Sequence, residues 1–126
     1  MSENLLLIER LELVLEALKR IPRRFAKINT PDDFMASQSG KDLMDSICMV
    51  LLAAGEEFKK IDNQTEGELL ARYPQVSWRG AIGLRDVLAH GYFQINPAQL
   101  YSICKDNVEP LIETLEQIIE DLKEGA

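Results

Sequence analysis

Four residues of this sequence have side chains that can take part in phosphodiester chemistry: Arg85, Asp86, His90 and Tyr92. Asp86 and His90 are four residues apart and share one face of a helix, so the carboxylate is expected to bond an imidazole nitrogen and fix the tautomer of the ring. Gly91 is a natural helix stop, which places His90 at a helix end. The pattern predicts an arginine, a carboxylate, a histidine and a phenol within about two turns.

This set of groups suits the cleavage of RNA without a metal ion. The 2′-hydroxyl of RNA attacks the adjacent phosphate when one group accepts its proton and another protonates the leaving oxygen. Histidine, with an ordinary pKa of about 6.5, can do either near neutral pH. A guanidinium neutralises the charge that grows on the phosphoryl oxygens. The alternative, which spacing does not exclude, is a single histidine that caps or packs a helix end.

The charge balance restricts how the chain can meet a nucleic acid. Its 126 residues carry 14 Lys+Arg against 21 Asp+Glu, a formal net charge of −7. RNA contact must therefore come from a local patch. The candidate patch is a run of cations within residues 19–27: Lys19, Arg20, Arg23, Arg24 and Lys27. In the alternative interpretation, these cations follow a series of acids and only complement a helix dipole.

The remaining composition predicts neither a disulfide nor a cofactor. Cys48 and Cys104 lie among apolar residues and are expected to be buried, unreactive thiols. Without a CxxC motif, and with the histidine at no ligand spacing from either cysteine, no metal is predicted. The longest uncharged apolar run, 47–55, is shorter than the roughly 20 residues that span a bilayer. The start of the sequence lacks signal-peptide features, so a cytoplasmic protein without membrane contact is expected.

Helical periodicity dominates the elements that must position the Arg85–Tyr92 segment. Apolar residues recur at spacings of three and four in three long stretches, 7–28, 43–61 and 100–122. Pro22 and Pro110 are expected to kink or split the first and third of them.

Polar residues mark where the helices start. Ser77 and Asn96 supply oxygen caps for the helices that follow them, and Thr65 to Glu68 fit a capping box. Thr30, followed by Pro31, and Ser39 are expected to cap two further helices. No segment alternates as a strand would. The sequence predicts one all-α domain over 1–126, an antiparallel bundle of four main helices with short extra helices.

The motif R-x4-H-x-Y, read from Arg85 to Tyr92, resembles the signature of HEPN-domain proteins of the HepT type. These are the toxin half of a toxin–antitoxin pair. Three further stretches support the resemblance. Residues 54–56 are similar to the family's I-G-E stretch, 74–78 to its P-x-x-x-W approach to the active helix, and 83–86 to its G-[ML]-R-[ND] entry into that helix. The resemblance covers residues 5–122. Pro22 departs from the family's first helix.

The resemblance implies a fold, an activity and partners. The fold is a HEPN helical bundle that pairs as a homodimer. The activity is a metal-independent endoribonuclease, acting on RNA such as transfer RNA, with Arg85 and His90 catalytic and Asp86 supporting. In HepT-type pairs a minimal nucleotidyltransferase antitoxin, MntA, transfers AMP from ATP to the motif tyrosine, here Tyr92, and silences the toxin.

Two other functions stay open. The chain can be a non-catalytic subunit that serves as substrate or docking partner of a nucleotidyltransferase, in which case the free protein would not cleave RNA. Small acidic helical bundles with one exposed histidine also carry phosphate in two-component signalling. Those domains usually follow the histidine with Lys-Gly, whereas Gly91-Tyr92-Phe93 follows here, which disfavours that function.

Overall fold

The computed structural model describes residues 3–125, and that part of the chain is helical without a strand. The segments run in chain order as α1 (Glu3–Leu18), α2 (Arg20–Phe25), α3 (Asp33–Ala36), α4 (Gln38–Gln64), α5 (Glu68–Ala71), α6 (Trp78–His90), a 3-10 turn (Tyr92–Gln94), α7 (Pro97–Ser102), a π-helical turn (Ile103–Asn107) and α8 (Val108–Gly125). The all-α prediction is confirmed.

The four long helices α1, α4, α6 and α8 form the antiparallel bundle that was predicted. The longest, α4, packs against both α1 and α6. Along α4 the neighbours from the α6 region run backwards: Asp45 contacts Tyr92, and Phe58 packs its ring against Trp78. Because the pairing order reverses, α4 and α6 are antiparallel.

The core lies between α1, α4 and α8. It holds the apolar side chains of the three periodic stretches, among them the fully buried Leu11, Leu18, Ile47, Phe58, Ile61, Leu115 and Ile118. Burial of each such side chain stabilises the folded state by roughly 1.5–3 kcal/mol. The shorter α6 buries only Trp78 and Leu88. One helix of the bundle therefore packs by a narrow face and presents the rest of its surface outward.

The two internal prolines coincide with irregular backbone, as predicted. α1 ends at Leu18 and α2 begins at Arg20, because Pro22 has no N–H to bond the carbonyl of Leu18. Pro110 lies in the first turn of α8, directly after the π-helical turn. It leaves the carbonyl of Asp106 without its helical donor, and the wider turn absorbs that mismatch.

The predicted caps are right at two places and wrong at three. Ser39 lies inside α4, which Ser37 caps by accepting from the N–H of Gly40, and α3 begins after Asp32 without a side-chain cap from Thr30 or any other described residue. Side-chain oxygens of Ser77 and Asn96 accept backbone N–H groups at the starts of α6 and α7. The capping box at Thr65 is wrong. The Thr65 hydroxyl donates instead to the carbonyl of Ile61, 2.8 Å away at the end of α4, and Gly67 precedes α5 with a φ of 75°.

Both cysteines are free and buried, as predicted. Burial raises the pKa of the Cys48 thiol to about 12 and that of Cys104 to about 12. The thiolate, which is the reactive form, is therefore scarce at neutral pH. None of the described helices is long and apolar enough to cross a membrane.

Candidate functional site

A glycine brings α6 close to α4. Gly55 is buried in α4, and a Cβ atom placed on it would lie 2.6 Å from the Cβ of Arg85 and 3.0 Å from the carbonyl oxygen of Ala81. Real Cβ atoms do not approach neighbours at 2.6 Å, so a larger residue at position 55 would push the helices apart. Gly55 therefore places Arg85 directly on the surface of α4.

Two carboxylates hold the guanidinium of Arg85. Its Nε donates to Glu56, which follows Gly55 on α4, and its Nη1 donates to Asp86. The hydrogen bond to Glu56, followed by that to Asp86, raises the pKa of Arg85 above its ordinary value. No described residue accepts a hydrogen bond from Nη2. The arginine is thus fixed in place and keeps N–H groups for an anion.

The expected bond between Asp86 and His90 is not formed. Among the described residues the Asp86 carboxylate accepts from Arg85 and makes no hydrogen bond to the imidazole. Glu56 anchors the guanidinium beside α6, and the guanidinium carries a full positive charge toward the Asp86 carboxylate. The hydrogen bond from Arg85 lowers the pKa of Asp86, and His90 contributes the smallest part of that lowering. Asp86 therefore supports the arginine rather than the histidine.

His90 is the last residue of α6, and its side chain is exposed. The following Gly91 ends the helix as predicted, with its N–H donating to the carbonyl of Val87 at 2.8 Å. No hydrogen bond from a described residue occupies the imidazole ring. The ring is open to a ligand from solvent.

Tyr92 folds back from the 3-10 turn onto α4. Its hydroxyl donates to a carboxylate oxygen of Asp45 and lies beside the thiol of Cys48. Burial, followed by the bond to Asp45, raises the pKa of Tyr92 above its ordinary value. A cavity of about 220 Å³ opens at this contact, with Met49, Leu52 and Leu88 completing its lining. The phenol is therefore protonated at neutral pH and lies at the edge of an open pocket.

Comparison with known proteins identifies the family of this chain. A family model described as "Ribonuclease HepT-like" matches residues 14–118. The chain belongs to the HepT-like ribonuclease family. The protein named "Putative RNase MJ0127" of Methanocaldococcus jannaschii is 32% identical over 110 residues, which are 87% of this chain and 84% of that protein. No solved structure matches the chain significantly.

A second relative from the same organism is longer than this chain. "Gamma-glutamylcyclotransferase and putative RNase MJ0434" is 27% identical over 109 residues, which are 86% of this chain but 46% of that protein. A third, "Putative RNase MJ1380", is 27% identical over 84 residues, 67% of this chain and 73% of that protein. The predicted membership of a ribonuclease family is confirmed.

Two site residues of this HepT-like chain were not singled out from the sequence: Asp45 was overlooked, and Glu56 had no assigned role. Both lie on α4, eleven residues apart, which is three helical turns. They therefore share the face that α6 packs against. The spacing was visible in the sequence, but the partners, Tyr92 and Arg85, are 47 and 29 residues away. Only the packing of α6 on α4 reveals their roles.

The predicted RNA-binding cations differ in their availability. Lys19 pairs with Glu116 at 3.3 Å, and Arg20 pairs with Glu16. The other three cations form no ion pair with any described residue: Arg23, Arg24 and Lys27. Arg23 and Arg24 lie on α2, which packs against α4, α8 and the π-helical turn, and Lys27 follows α2. Three of the five cations are thus free to bind phosphate.

One cation close to Arg85 was also missed. Lys59 is exposed on α4, one turn beyond Gly55, and its charge helps to lower the pKa of Asp86. It therefore lies within electrostatic range of the Arg85–Asp86 pair. Across residues 3–125, no three His, Cys, Asp or Glu side chains cluster closely enough to hold a metal ion.

Proposed function

We propose that this protein is a metal-independent endoribonuclease, the toxin of a toxin–antitoxin pair, with Arg85 and His90 as its catalytic residues. The observation that carries the proposal is the fixed guanidinium of Arg85, which Glu56 holds while N–H groups stay available to a phosphate. Membership of the HepT-like ribonuclease family supports RNA as the substrate class. Transfer RNA, as a folded RNA with exposed single-stranded loops, is the substrate to test first.

The proposed reaction uses the 2′-hydroxyl of RNA as the nucleophile. A neutral histidine accepts the hydroxyl proton while the oxygen bonds to phosphorus, and a protonated histidine gives a proton to the leaving 5′-oxygen. Arg85 neutralises the phosphoryl oxygens as charge grows on them. The products are a 2′,3′-cyclic phosphate and a 5′-hydroxyl end. One chain has a single histidine, so we expect one imidazole to accept the proton of the 2′-hydroxyl and then to deliver it to the leaving oxygen.

We propose that a second copy of the chain completes the site. Five positions along an α-helix correspond to a rise of about 7.5 Å and a rotation of about 140°, so Arg85 and His90 of one chain point in different directions. A two-fold axis near His90 would bring the arginine of one copy to the histidine of the other. Val87 and Phe93 beside the motif are 50% and 100% exposed, an apolar surface that such pairing would cover.

The proposed control is AMP transfer from ATP to Tyr92 by an MntA-type nucleotidyltransferase antitoxin. Tyr92 lies beyond the helix stop, and its hydroxyl is at the edge of an open cavity. A phosphodiester there adds bulk and a negative charge that pairs with cations of the site. Inhibition would follow from occlusion of the RNA site, without refolding.

The test of the catalytic assignment is RNA cleavage in excess EDTA. The unmodified protein is expected to cut transfer RNA and leave 2′,3′-cyclic phosphate ends. His90→Ala and Arg85→Ala should each lose at least about 100-fold in rate, because acid–base and charge stabilisation contribute factors of that size. The matched control is Arg79→Ala, which removes an exposed cation from the same helix and should leave the rate unchanged.

Three outcomes would overturn the assignment. Cleavage that needs added magnesium contradicts metal independence, and undiminished cleavage by either variant contradicts the role of that residue. A free protein that cleaves no RNA yet is modified on Tyr92 would be a non-catalytic substrate subunit of the nucleotidyltransferase.

A further inference from the structure

The hydrogen bond between Tyr92 and Asp45 is not required by burial of the carboxylate. The two residues are 47 positions apart, and the Asp45 side chain is exposed, so water could satisfy Asp45 without the tyrosine. The backbone nevertheless folds back after Gly91 so that the hydroxyl reaches this carboxylate. The contact with Asp45 holds the Tyr92 side chain in one rotamer at the edge of the pocket. It therefore fixes the position of the hydroxyl oxygen.

From this contact we propose that Asp45 prepares Tyr92 for adenylylation: it orients the phenol and accepts its proton as AMP is transferred. The inference rests on the proposed modification of Tyr92 and assigns this chain, the substrate, a catalytic residue for that reaction. In the step, the Tyr92 oxygen bonds to the α-phosphorus of ATP. The bond from that phosphorus to the pyrophosphate oxygen breaks, pyrophosphate leaves with the electron pair, and the hydroxyl proton passes to Asp45.

The surroundings of the hydroxyl explain why it needs a proton acceptor. Burial and the neighbouring carboxylate hold the pKa of Tyr92 above that of a free phenol, so the phenolate is scarce at neutral pH. A neutral phenol is a weak nucleophile, and an adjacent base activates it as the bond forms. Cys48 also contacts the hydroxyl, but burial raises the pKa of its thiol to about 12. A neutral thiol is a weak acceptor, which leaves Asp45 as the base.

The chain contains a matched control for this pair. Tyr73 donates to Asp121 at 2.7 Å, the same phenol–carboxylate contact between α8 and the segment before α6. Burial, followed by that hydrogen bond, raises the pKa of Tyr73 to about 12. Tyr73 lies outside the R-x4-H-x-Y motif. Asp121→Asn therefore removes an equivalent carboxylate and leaves both Tyr92, the proposed acceptor of AMP, and Asp45 unchanged.

The experiment measures the initial rate of label transfer from α-³²P-ATP and magnesium by the nucleotidyltransferase antitoxin. Asp45→Asn keeps an oxygen that orients the phenol but cannot take its proton, so the maximal rate should fall at least tenfold while the KM for the toxin stays within twofold. Asp45→Ala should also raise that KM, because orientation is lost. Asp45→Glu should recover part of the rate, and Asp121→Asn should match the wild type. Circular dichroism melting curves check that each variant is folded.

The possible failures are distinguishable. If the wild type takes no label, or Tyr92→Phe takes as much label as the wild type, the proposed modification itself is wrong. If the wild type is labelled on Tyr92 and Asp45→Asn is labelled equally fast, the modification stands and Asp45 has no part in it. Equal losses in Asp45→Asn and Asp121→Asn would also remove the specific role of Asp45.

Discussion

At the scale of single residues, the site is a set of carboxylates that hold the groups proposed to react. Glu56 holds Arg85, Asp86 holds the same arginine from the other side, and Asp45 holds Tyr92. Two acids around one guanidinium leave that cluster with a net negative charge. An RNA phosphate can bind the N–H groups of Nη2, and displacement of Asp86, the more exposed of the two acids, would free those of Nη1 as well.

Because Glu56 and Asp86 hold Arg85 in different ways, we expect their substitutions to change the kinetics of RNA cleavage differently. Glu56→Gln keeps an acceptor but loses the charge-assisted bond to Nε, so kcat/KM for RNA cleavage should fall about tenfold. Asp86→Asn removes a competitor of the phosphate, so its KM should fall and its kcat/KM should change less. Cleavage rates measured over a range of RNA concentrations check both. A larger loss in Asp86→Asn than in Glu56→Gln would restore Asp86 to the role of orienting His90.

The residue scale is also where sequence reasoning was weakest. The spacing of Asp86 and His90 indicated a shared helix face, and that geometry was sound. Asp86 nevertheless bonds Arg85 instead of His90. Glu56, which is 29 positions away from Arg85 in the sequence, holds the guanidinium beside Asp86. The spacing of neighbouring residues does not reveal a competing hydrogen-bond partner that only tertiary packing brings close.

At the scale of elements, the close packing of α4 and α6 decides where Arg85 lies. Gly55 permits that contact, and Ser77 and Gly91 set where α6 begins and ends. The two boundaries were predictable, because oxygen caps and glycine stops act within a few residues. The contact at Gly55 was not, because its partner lies on another helix. The capping box at Thr65 failed for a local reason, because the hydroxyl donates to the carbonyl of Ile61 four residues earlier on α4.

Substitution of Gly55 tests this packing. Gly55→Ala places a Cβ 2.6 Å from that of Arg85, so it should destabilise the fold by about 1–3 kcal/mol and slow RNA cleavage more than the stability loss explains. Gly83→Ala on α6 is the control, because its Cβ meets nothing within 4 Å. It should stabilise the helix by roughly 0.5–1 kcal/mol. Urea titration with cleavage assays measures both, and a Gly55→Ala protein of unchanged stability would contradict the packing argument.

At the scale of the whole molecule, the bundle leaves one side incomplete. α6 packs on α4, and an apolar groove of about 470 Å³ lies between α6 and the region of α7 and α8. Val87 lines that groove, and the fully exposed Phe93 lies six residues later, on the 3-10 turn that follows α6. The periodic stretches predicted the helices and the core, but they did not predict this exposed apolar surface. Pairing of two copies through this side would bury it and join two Arg85–His90 segments.

The mass of the protein in solution provides a direct test of that pairing. Light scattering at micromolar concentration should give twice the 14.3 kDa mass of one chain. Phe93→Asp should shift the mass to that of a monomer and reduce RNA cleavage, because a charge replaces an apolar contact at the interface. Leu13→Asp is the control, since Leu13 is equally apolar and 73% exposed on α1. A wild-type monomer, or equal effects of the two changes, would exclude this interface.

Mixing two inactive variants then asks whether one catalytic unit draws on both chains. Arg85→Ala and His90→Ala each lack one group, and equilibration of the two makes half of the dimers mixed. If arginine and histidine come from different chains, one of the two sites in every mixed dimer is intact, so about a quarter of the wild-type rate should return. If both come from the same chain, every site in every dimer lacks a group and no activity returns. The variants carry their changes five positions apart on one helix, and the rotation of about 140° between those positions is why recovery is expected.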